Sequence, residues 1–426
     1  MVEPPSNGAV RTAAVPAGAR RISHSERAMP VLARLRDRFA DERPLSGVHV
    51  VACLPLTAET AVLARLLAAG GAEVALCSSN PLSTQDDVAA ALRSDGMTVA
   101  ARRGVDRAGY YADVRQALDT LAGARRALLL DDGCDLLSAL HTERPALLRS
   151  GVVAGACEQT ATGVLRLHQM ARDRALALPV VAVNDTPTKR VVDNRWGSGQ
   201  STVDALLRAT GMLLAGRTAV VAGYGDVGRG VASRLRGLGA SVIVTEVDPT
   251  AALDAALDGY RVLPMAEAAP LASIVVTATG ARDVVTAAHL GLLPDGAVLA
   301  NAGHFDVEID VRGLVALAVE RTVAVRPGVD EYVLPHGRRV LLVGEGRVAG
   351  LAAAEGSPPA VMDVAFALQA LTAEWLLTAG LPRGVHPVPA GIDRAVAGLA
   401  LGSLGLALDV LTPAQEAYLR SWRAGS

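Results

Sequence analysis

The sequence predicts an α/β protein built on parallel sheets, and three observations carry that expectation. Apolar runs without polar alternation recur along the chain, separated by helix-like segments, which is the pattern of strands covered on both faces. Apolar residues make up 51% of the 426 residues and charged residues 20%, a balance that buries a sizeable core and does not favour disorder. No motif repeats at a fixed period, which excludes solenoids and propellers. At about 100–200 residues per domain, the length holds two to three domains.

The charge balance narrows the function classes. With 41 basic and 43 acidic residues the net charge is −2, so a bulk electrostatic grip on nucleic acid or an anionic membrane is excluded. No run free of charged residues reaches the roughly 18 needed to cross a bilayer. The N-terminus lacks the continuous apolar core of a signal peptide. Cys53, Cys77, Cys134 and Cys157 have no CxxC spacing and are too few for a disulfide framework. A cytoplasmic globular protein is expected.

In chain order, residues 1–21 are rich in Pro, Gly, Ala and Arg without periodicity and read as a flexible arm. Met29, Leu32, Leu35 and Phe39 recur at helical spacing. VHVVACL (48–54), AEVALCS (72–78) and RALLLDD (126–132) read as strands, each followed by a helical stretch, and ALPVVAVND (177–185) closes this first α/β unit. A helix ending at Gly216 leads into a second unit with strands at TAVVA, ASVIVTEVD, YRVLP, SIVVTATG, GAVLANAG, RTVAVRP and RRVLLVGEG. Beyond residue 355 come a long helix, a second helical stretch (IDRAVAGLALGSL) and a short final helix.

Gly223-Tyr224-Gly225-Asp226-Val227-Gly228 follows the apolar strand TAVVA and opens a helix. In that context the first glycine permits the tight turn, the second lets a pyrophosphate approach the backbone, and the third lets helix pack on strand. The helix N-terminus adds free N–H groups for the phosphates. Glu246 ends the next strand, where a carboxylate accepts from both ribose hydroxyls and repels a 2′-phosphate, favouring NAD over NADP. The expected organisation is therefore an arm (1–21), a doubly wound α/β substrate-binding domain (22–195 and 355–395), an inserted Rossmann-type NAD-binding domain (196–354), and a short C-terminal helical segment (396–426).

Of the 41 basic residues, all but Lys189 are arginine. A lone lysine in that background marks a place needing a compact ammonium whose pKa can shift, which arginine does not offer. It lies in Asn184-Asp185-Thr186-Pro187-Thr188-Lys189-Arg190-Val191-Val192-Asp193-Asn194, with Asp193 at i+4, so a helix sets ammonium beside carboxylate. Such a pair can hold a substrate hydroxyl and move its proton; an ordinary exposed ion pair has the same spacing. Asn301-Ala302-Gly303-His304 follows the strand GAVLA, at the carboxyl edge where parallel sheets bind ligands, making His304 a candidate on the nicotinamide side. Thr279, after SIVVTA, and Asn301 belong to the same cofactor-side set. Asp131-Asp132, Glu158-Gln159-Thr160-Ala161-Thr162, and Thr57, Glu59 and Thr60 follow strands of the first unit in the same way. No HExxH, EF-hand loop or Cys/His cluster is present, so no metal is expected.

Taken together, ETAVL, SSNPLSTQD, LLLDDGCDL, VNDTPTKRVVDN, VVAGYGDVGRG, TEVDP, NAGHFDVEID, RRVLLVGEGR and GVHPVP resemble the S-adenosylhomocysteine hydrolase (adenosylhomocysteinase) family from about residue 22 to about 420. The resemblance implies oxidation of a ribose 3′-hydroxyl with tightly held NAD, β-elimination of the 5′-substituent, water addition and re-reduction. It implies nucleoside contacts at Thr57, Asp132, Lys189 and Asp193, with Glu59, Thr60 and Gln159 beside them. It implies NAD contacts at Thr160, Thr162, Asn194, the Gly223–Gly228 loop, Glu246, Gly303 and His304. Lys189, Asp193, Asp132 and His304 are the expected catalytic set.

The chain also departs from the family pattern. Pro55 stands in place of a family histidine near the 5′ position, Gln159 in place of a glutamate, and Ala161 in place of a threonine. Ala251, Gly350 and Ser357 replace an Asn, an Asn and a His, and the family's long tail, which completes a neighbouring subunit's NAD site, has no counterpart after EAYLRSWRAGS. Loss of an imidazole near the 5′ carbon weakens water activation. The expectation drawn from this is a nucleoside dehydratase of nucleoside-antibiotic-type metabolism that releases an exocyclic alkene. A genuine adenosylhomocysteinase, a non-catalytic NAD- and nucleoside-binding relative, and a simple dehydrogenase that releases NADH are the alternatives. The expected partners are a small nucleoside substrate and further copies of the chain, as a dimer or tetramer, without nucleic acid or membrane.

Overall fold

The computed structural model describes residues 7–423. Six strands come first: β1 (His49–Cys53), β2 (Glu73–Cys77), β3 (Thr98–Ala100), β4 (Ala127–Asp131), β5 (Val153–Glu158) and β6 (Pro179–Ala182). Eight follow in a second sheet: β7 (Thr218–Ala222), β8 (Ser241–Thr245), β9 (Arg261–Val262), β10 (Ile274–Thr277), β11 (Ala297–Asn301), β12 (Glu320–Arg326), β13 (Val329–Val333) and β14 (Arg339–Val343). β15 (Gly384–Pro387) then returns to the first sheet beside β6, so the second domain is inserted within the first.

The first sheet runs β15-β6-β5-β4-β1-β2-β3 and is parallel throughout. The second runs β12-β13-β14-β11-β10-β7-β8-β9, parallel except for the antiparallel margin β12-β13-β14. Side chains alternate faces along each strand: Val50 and Ala52 enter the core on one side of the first sheet, Val51 and Cys53 the other. Helix-packed cores on both faces explain the unbroken apolar runs. In each sheet the order reverses beside one strand, β1 between β2 and β4, and β7 between β8 and β10. Parallel sheets bind ligands at the carboxyl ends beside such reversals.

Several expectations need correction. Residues 7–27 form a helix (Asn7–Arg27) instead of a flexible arm; residues 1–6 lie outside the described residues. Its packing accounts for the order. Ile22 is fully buried, Arg21 pairs with Asp87 (3.1 Å) and Glu355 (2.7 Å), and a Cβ at Gly18 would stand 2.0 Å from the Asp87 carbonyl oxygen. The helix expected to reach Gly216 is Ser198–Thr210; Gly211, at φ +65°, ends it with a bond from its N–H to Leu207 O. The boundary drawn at 395/396 falls inside the helix Ala390–Ser403, whose Val396 is buried in the first domain's core.

Candidate functional site

The carboxyl ends of both sheets open onto one cavity. From the first sheet, the segment after β1 brings Pro55, Thr57 and Thr60, that after β4 Asp132, that after β5 Gln159, Thr160 and Thr162, and that after β6 Asn184. From the second come Gly225, Asp226 and Val227 after β7, Thr279 after β10, and Gly303 and His304 after β11. Lys189, Asp193 and Asn194 lie on the segment joining the two domains.

That segment has unusual local geometry. Thr186 caps a short helix (Pro187–Lys189), and residues Arg190–Gly197 continue it as a π-helix. Hydrogen bonding from i to i+5 brings residues five apart onto one face, in addition to those four apart. Lys189 uses both: its buried Nζ donates to Asn194 Oδ1 (2.6 Å) and lies 3.3 Å from Asp193 Oδ2. Asn184 Oδ1 accepts from Lys189 Nζ (3.3 Å) and from Asn194 Nδ2 (3.1 Å). Three acceptors thus match the three N–H bonds of the ammonium. An incoming hydroxyl that displaces one of them meets a buried ammonium next to a carboxylate.

Across the cavity, Ser79 Oγ donates to Asp132 Oδ2 (3.3 Å). Burial pushes the Asp132 carboxyl above the ordinary aspartate range; His304 and Lys189 pull it back, and Asp193 pushes it up. Next to it, Gly133 sits at φ +111°, and a Cβ there would stand 2.2 Å from His304 Nε2, so backbone of the first domain and imidazole of the second are in direct contact. His304 packs edge-on against Phe305 at 4.6 Å between ring centres. The guanidinium of Arg166, paired with Asp135 at 2.7 Å, lies over the Phe305 ring. Glu158 ties two loops together: its Oε1 accepts from Gly133 N, Thr160 N and Thr160 Oγ1, each at 2.9 Å. Burial holds the Glu158 carboxyl well above the usual range.

The wall from the second sheet is made largely of backbone. Gly223 turns at φ +96°, and a Cβ at Gly228 would stand 2.0 Å from Gly223 O. Among the described residues, no atom lies within 4 Å of where a Cβ at Gly225 would stand, which leaves an open cradle at the start of the helix Asp226–Gly237. That cradle fits a pyrophosphate. Glu246 stands at the end of β8, its carboxylate accepting from Tyr224 N (2.6 Å), Val247 N (2.6 Å) and Asp248 N (3.0 Å). A carboxylate there suits a ribose with free hydroxyls and disfavours a 2′-phosphate.

Not every residue singled out from the sequence reaches the cavity. Glu59, expected at the substrate, does not line it; its Oε1 accepts from Ser25 Oγ at 2.7 Å. Asn301 is fully buried behind the wall, its Nδ2 donating to Gly303 O (3.1 Å), Phe305 O (2.8 Å) and Gly346 O (2.9 Å), so it shapes the His304 loop from behind. Gly223, Gly228 and Glu246 act from behind the lining in the same way. Sequence reasoning gave no role to Glu308, whose carboxylate accepts from Thr279 N (2.8 Å), Thr279 Oγ1 (2.7 Å) and Gly280 N (2.9 Å). It also gave none to Ser79 or Asn184, although both lie just past strand ends, and that position was the available signal.

The chain matches the family model for S-adenosyl-L-homocysteine hydrolase over residues 10–152 and that for its NAD binding domain over residues 194–356. It is 49% identical over 414 residues to an adenosylhomocysteinase of Thermosynechococcus vestitus, covering 96% of this chain and 95% of that one. An adenosylhomocysteinase of Aquifex aeolicus is 50% identical over 412 residues, 96% and 97% of the two chains. An S-inosyl-L-homocysteine hydrolase of Methanopyrus kandleri is 50% identical over 400 residues, 93% of each. With the dinucleotide cradle, the lysine cluster and both domains matched, the chain belongs to the adenosylhomocysteinase family and is an NAD-dependent enzyme of it.

Proposed function

We propose that this enzyme cleaves a nucleoside thioether of the S-adenosyl- or S-inosylhomocysteine type into the nucleoside and homocysteine. The observation that supports this most is the buried Lys189–Asp193–Asn194 cluster in the same cavity as the Gly223–Gly228 cradle. NAD, for which the cradle, Glu246, Thr279, Thr160 and Thr162 supply the holding groups, provides a hydride acceptor that later gives the hydride back. Lys189 holds the sugar 3′-oxygen through its ammonium and the neighbouring Asp193 carboxylate takes the hydroxyl proton as that carbon is oxidised, with Asn194 keeping the ammonium in place. The resulting ketone acidifies the neighbouring C–H bond; that carbon loses its proton and the 5′-substituent leaves by elimination. Water then adds across the alkene, returning a proton to the 4′ carbon and a hydroxyl to the 5′ carbon before the ketone is reduced. Asp132, its carboxyl raised by burial, retains a proton to give to the departing group. The buried surroundings of Lys189 keep bulk water from these transfers.

One observation favours a second reading in which the alkene is released without adding water. The loop after β1 presents Pro55, where the resemblance implies a histidine, and among the described residues His304 is the one imidazole lining the cavity. With a hydroxyl as the leaving group, the same oxidation, elimination and reduction make a nucleoside dehydratase. Incubating the NAD-loaded protein in D2O with S-adenosylhomocysteine, S-inosylhomocysteine and 5′-hydroxyl nucleosides, followed by mass spectrometry, separates the two. Homocysteine release with a free nucleoside supports the hydrolase. Loss of one water from a 5′-hydroxyl nucleoside, with both thioethers untouched, supports the dehydratase. Absence of both products and of deuterium at the 4′ carbon overturns both.

A further inference from the structure

We infer that Asp131 and Glu158 are positioning residues for Asp132: side by side at the ends of β4 and β5, their carboxyls clamp the strained turn that carries it. The inference rests on the reading of Asp132 as the acid that protonates the departing group.

The turn after β4 is bent against its own preference. Gly133 sits at φ +111° and Cys134 at φ +66°. Cys134, whose side chain is fully buried, thus holds a left-handed conformation that glycine adopts more readily. Such backbone persists where its surroundings over-determine it. Asp131 Oδ1 accepts from Asp132 N (2.9 Å), and Glu158 Oε1 accepts from Gly133 N (2.9 Å). Asp131 Oδ2 accepts from Leu137 N (2.8 Å), in the helix Asp135–Glu143 that the turn leads into. Arg166 Nη1 donates to Gly133 O. The N–H groups of Asp132 and of the residue after it are therefore both fixed, by carboxyls from two neighbouring strands.

The two carboxyls do this differently. Asp131 and Glu158 are in register across β4 and β5, so their side chains share one face of the sheet, and neither has exposed surface. Two buried carboxylates side by side do not both ionise. Asp131 has an N–H donor on each oxygen and takes the charge. Glu158 gathers Gly133 N, Thr160 N and Thr160 Oγ1 on Oε1, while its Oε2 has no partner among the described residues. Burial, and after it the charge of Asp131, holds the Glu158 carboxyl well above the usual range, so it keeps its proton. An amide can stand in for Glu158. It cannot stand in for Asp131, where its NH2 would face a backbone N–H.

The test uses NAD-loaded protein and S-adenosylhomocysteine, with absorbance of bound NADH reporting the oxidation and thiol release reporting the elimination. In the elimination the bond from the 5′ carbon to sulfur breaks, and Asp132 hands its proton to the sulfur. Asp131→Asn is expected to reduce bound NAD as wild type does and to release thiol about 10²-fold more slowly, the effect of a small misplacement of a reacting group. Glu158→Met, which keeps the bulk and removes the acceptor, is expected to slow thiol release likewise at equal bound NAD. Glu158→Gln is expected to stay within about threefold of wild type. Equal behaviour of the two amide variants, both fast or both slow, overturns the inference. So does an Asp131→Asn protein that loses oxidation and elimination alike. If Asp131→Asn does not fold, a slow Glu158→Gln or a fast Glu158→Met overturns it in the same way. Thiol release at the wild-type rate by Asp132→Asn overturns the reading of Asp132 as the acid, and absence of thiol release by wild type overturns the thioether reading. The inference falls with either.

Discussion

The two walls of the cavity follow one topological rule and use opposite chemistry. On the second sheet's side, the contact surface is largely backbone shaped by glycines, with Thr279 and His304 adding side chains: Gly225 stays bare at the surface, while behind it Gly223 turns and Gly228 lies against Gly223 O. On the first sheet's side and the connecting segment, it is charged and polar side chains: Lys189, Asp193, Asp132 and Gln159. On the proposed reading, the backbone wall is the one that adding a methyl group would damage, and the side-chain wall the one that changing a functional group would damage.

The contrast is testable from the largest effect down. Lys189→Arg keeps the charge but not the compact ammonium, and kcat should fall about 10²–10⁴-fold while the NAD content of the purified protein stays at the wild-type level. Retained turnover there would break the distinction between the walls. Asp132→Asn should lower kcat about 10²-fold. Since burial raises the Asp132 carboxyl, it keeps its proton further toward neutral pH, and wild-type kcat should fall as pH rises through that raised value. The kcat–pH profile of Asp132→Asn should lack this limb. Gly228→Ala forces a methyl to 2.0 Å from Gly223 O and should cost about 1–3 kcal/mol of stability by denaturant melt, with loss of bound NAD. Gly225→Ala places its methyl in open space, so the melt should match wild type while NAD binds about tenfold more weakly by calorimetry. If the two glycine variants behave alike, the cradle is a packing feature and not a ligand surface.

Much of this could be read from the chain because it depends on local pattern. Strands covered on both faces wrote themselves as apolar runs, and the glycine loop stood between one of them and a helix. The lone lysine marked the buried polar cluster that lines the cavity, and its pairing with Asp193 followed from helical spacing. What stayed hidden depends on distant partners or irregular backbone. The approach of Asn194 to Lys189 needs the π-turn, which α-helical spacing does not anticipate. β13 carries Asp330 and Glu331 and reads as polar, because its Asp330 is satisfied by Arg321 (2.6 Å) from the neighbouring strand. Glu59 and the N-terminal segment failed for one shared reason: the partner of Glu59 is Ser25, near the end of the helix whose residues up to 21 read as an arm.

The order of the strands also bears on how the chain is made. β7 to β14 are consecutive, so the inserted domain has its whole sheet as soon as residue 343 is synthesised. The first domain lacks β15 and the helices Pro359–Leu376 and Ala390–Ser403, whose Phe366, Leu368 and Val396 fill its core, until synthesis has passed them. Domains fold as units once their segments are present, and distant pairings come late. The domain encoded second therefore completes first, and the growing polypeptide carries an unfinished apolar face of its earlier half throughout that interval, the stage at which chaperone protection matters most.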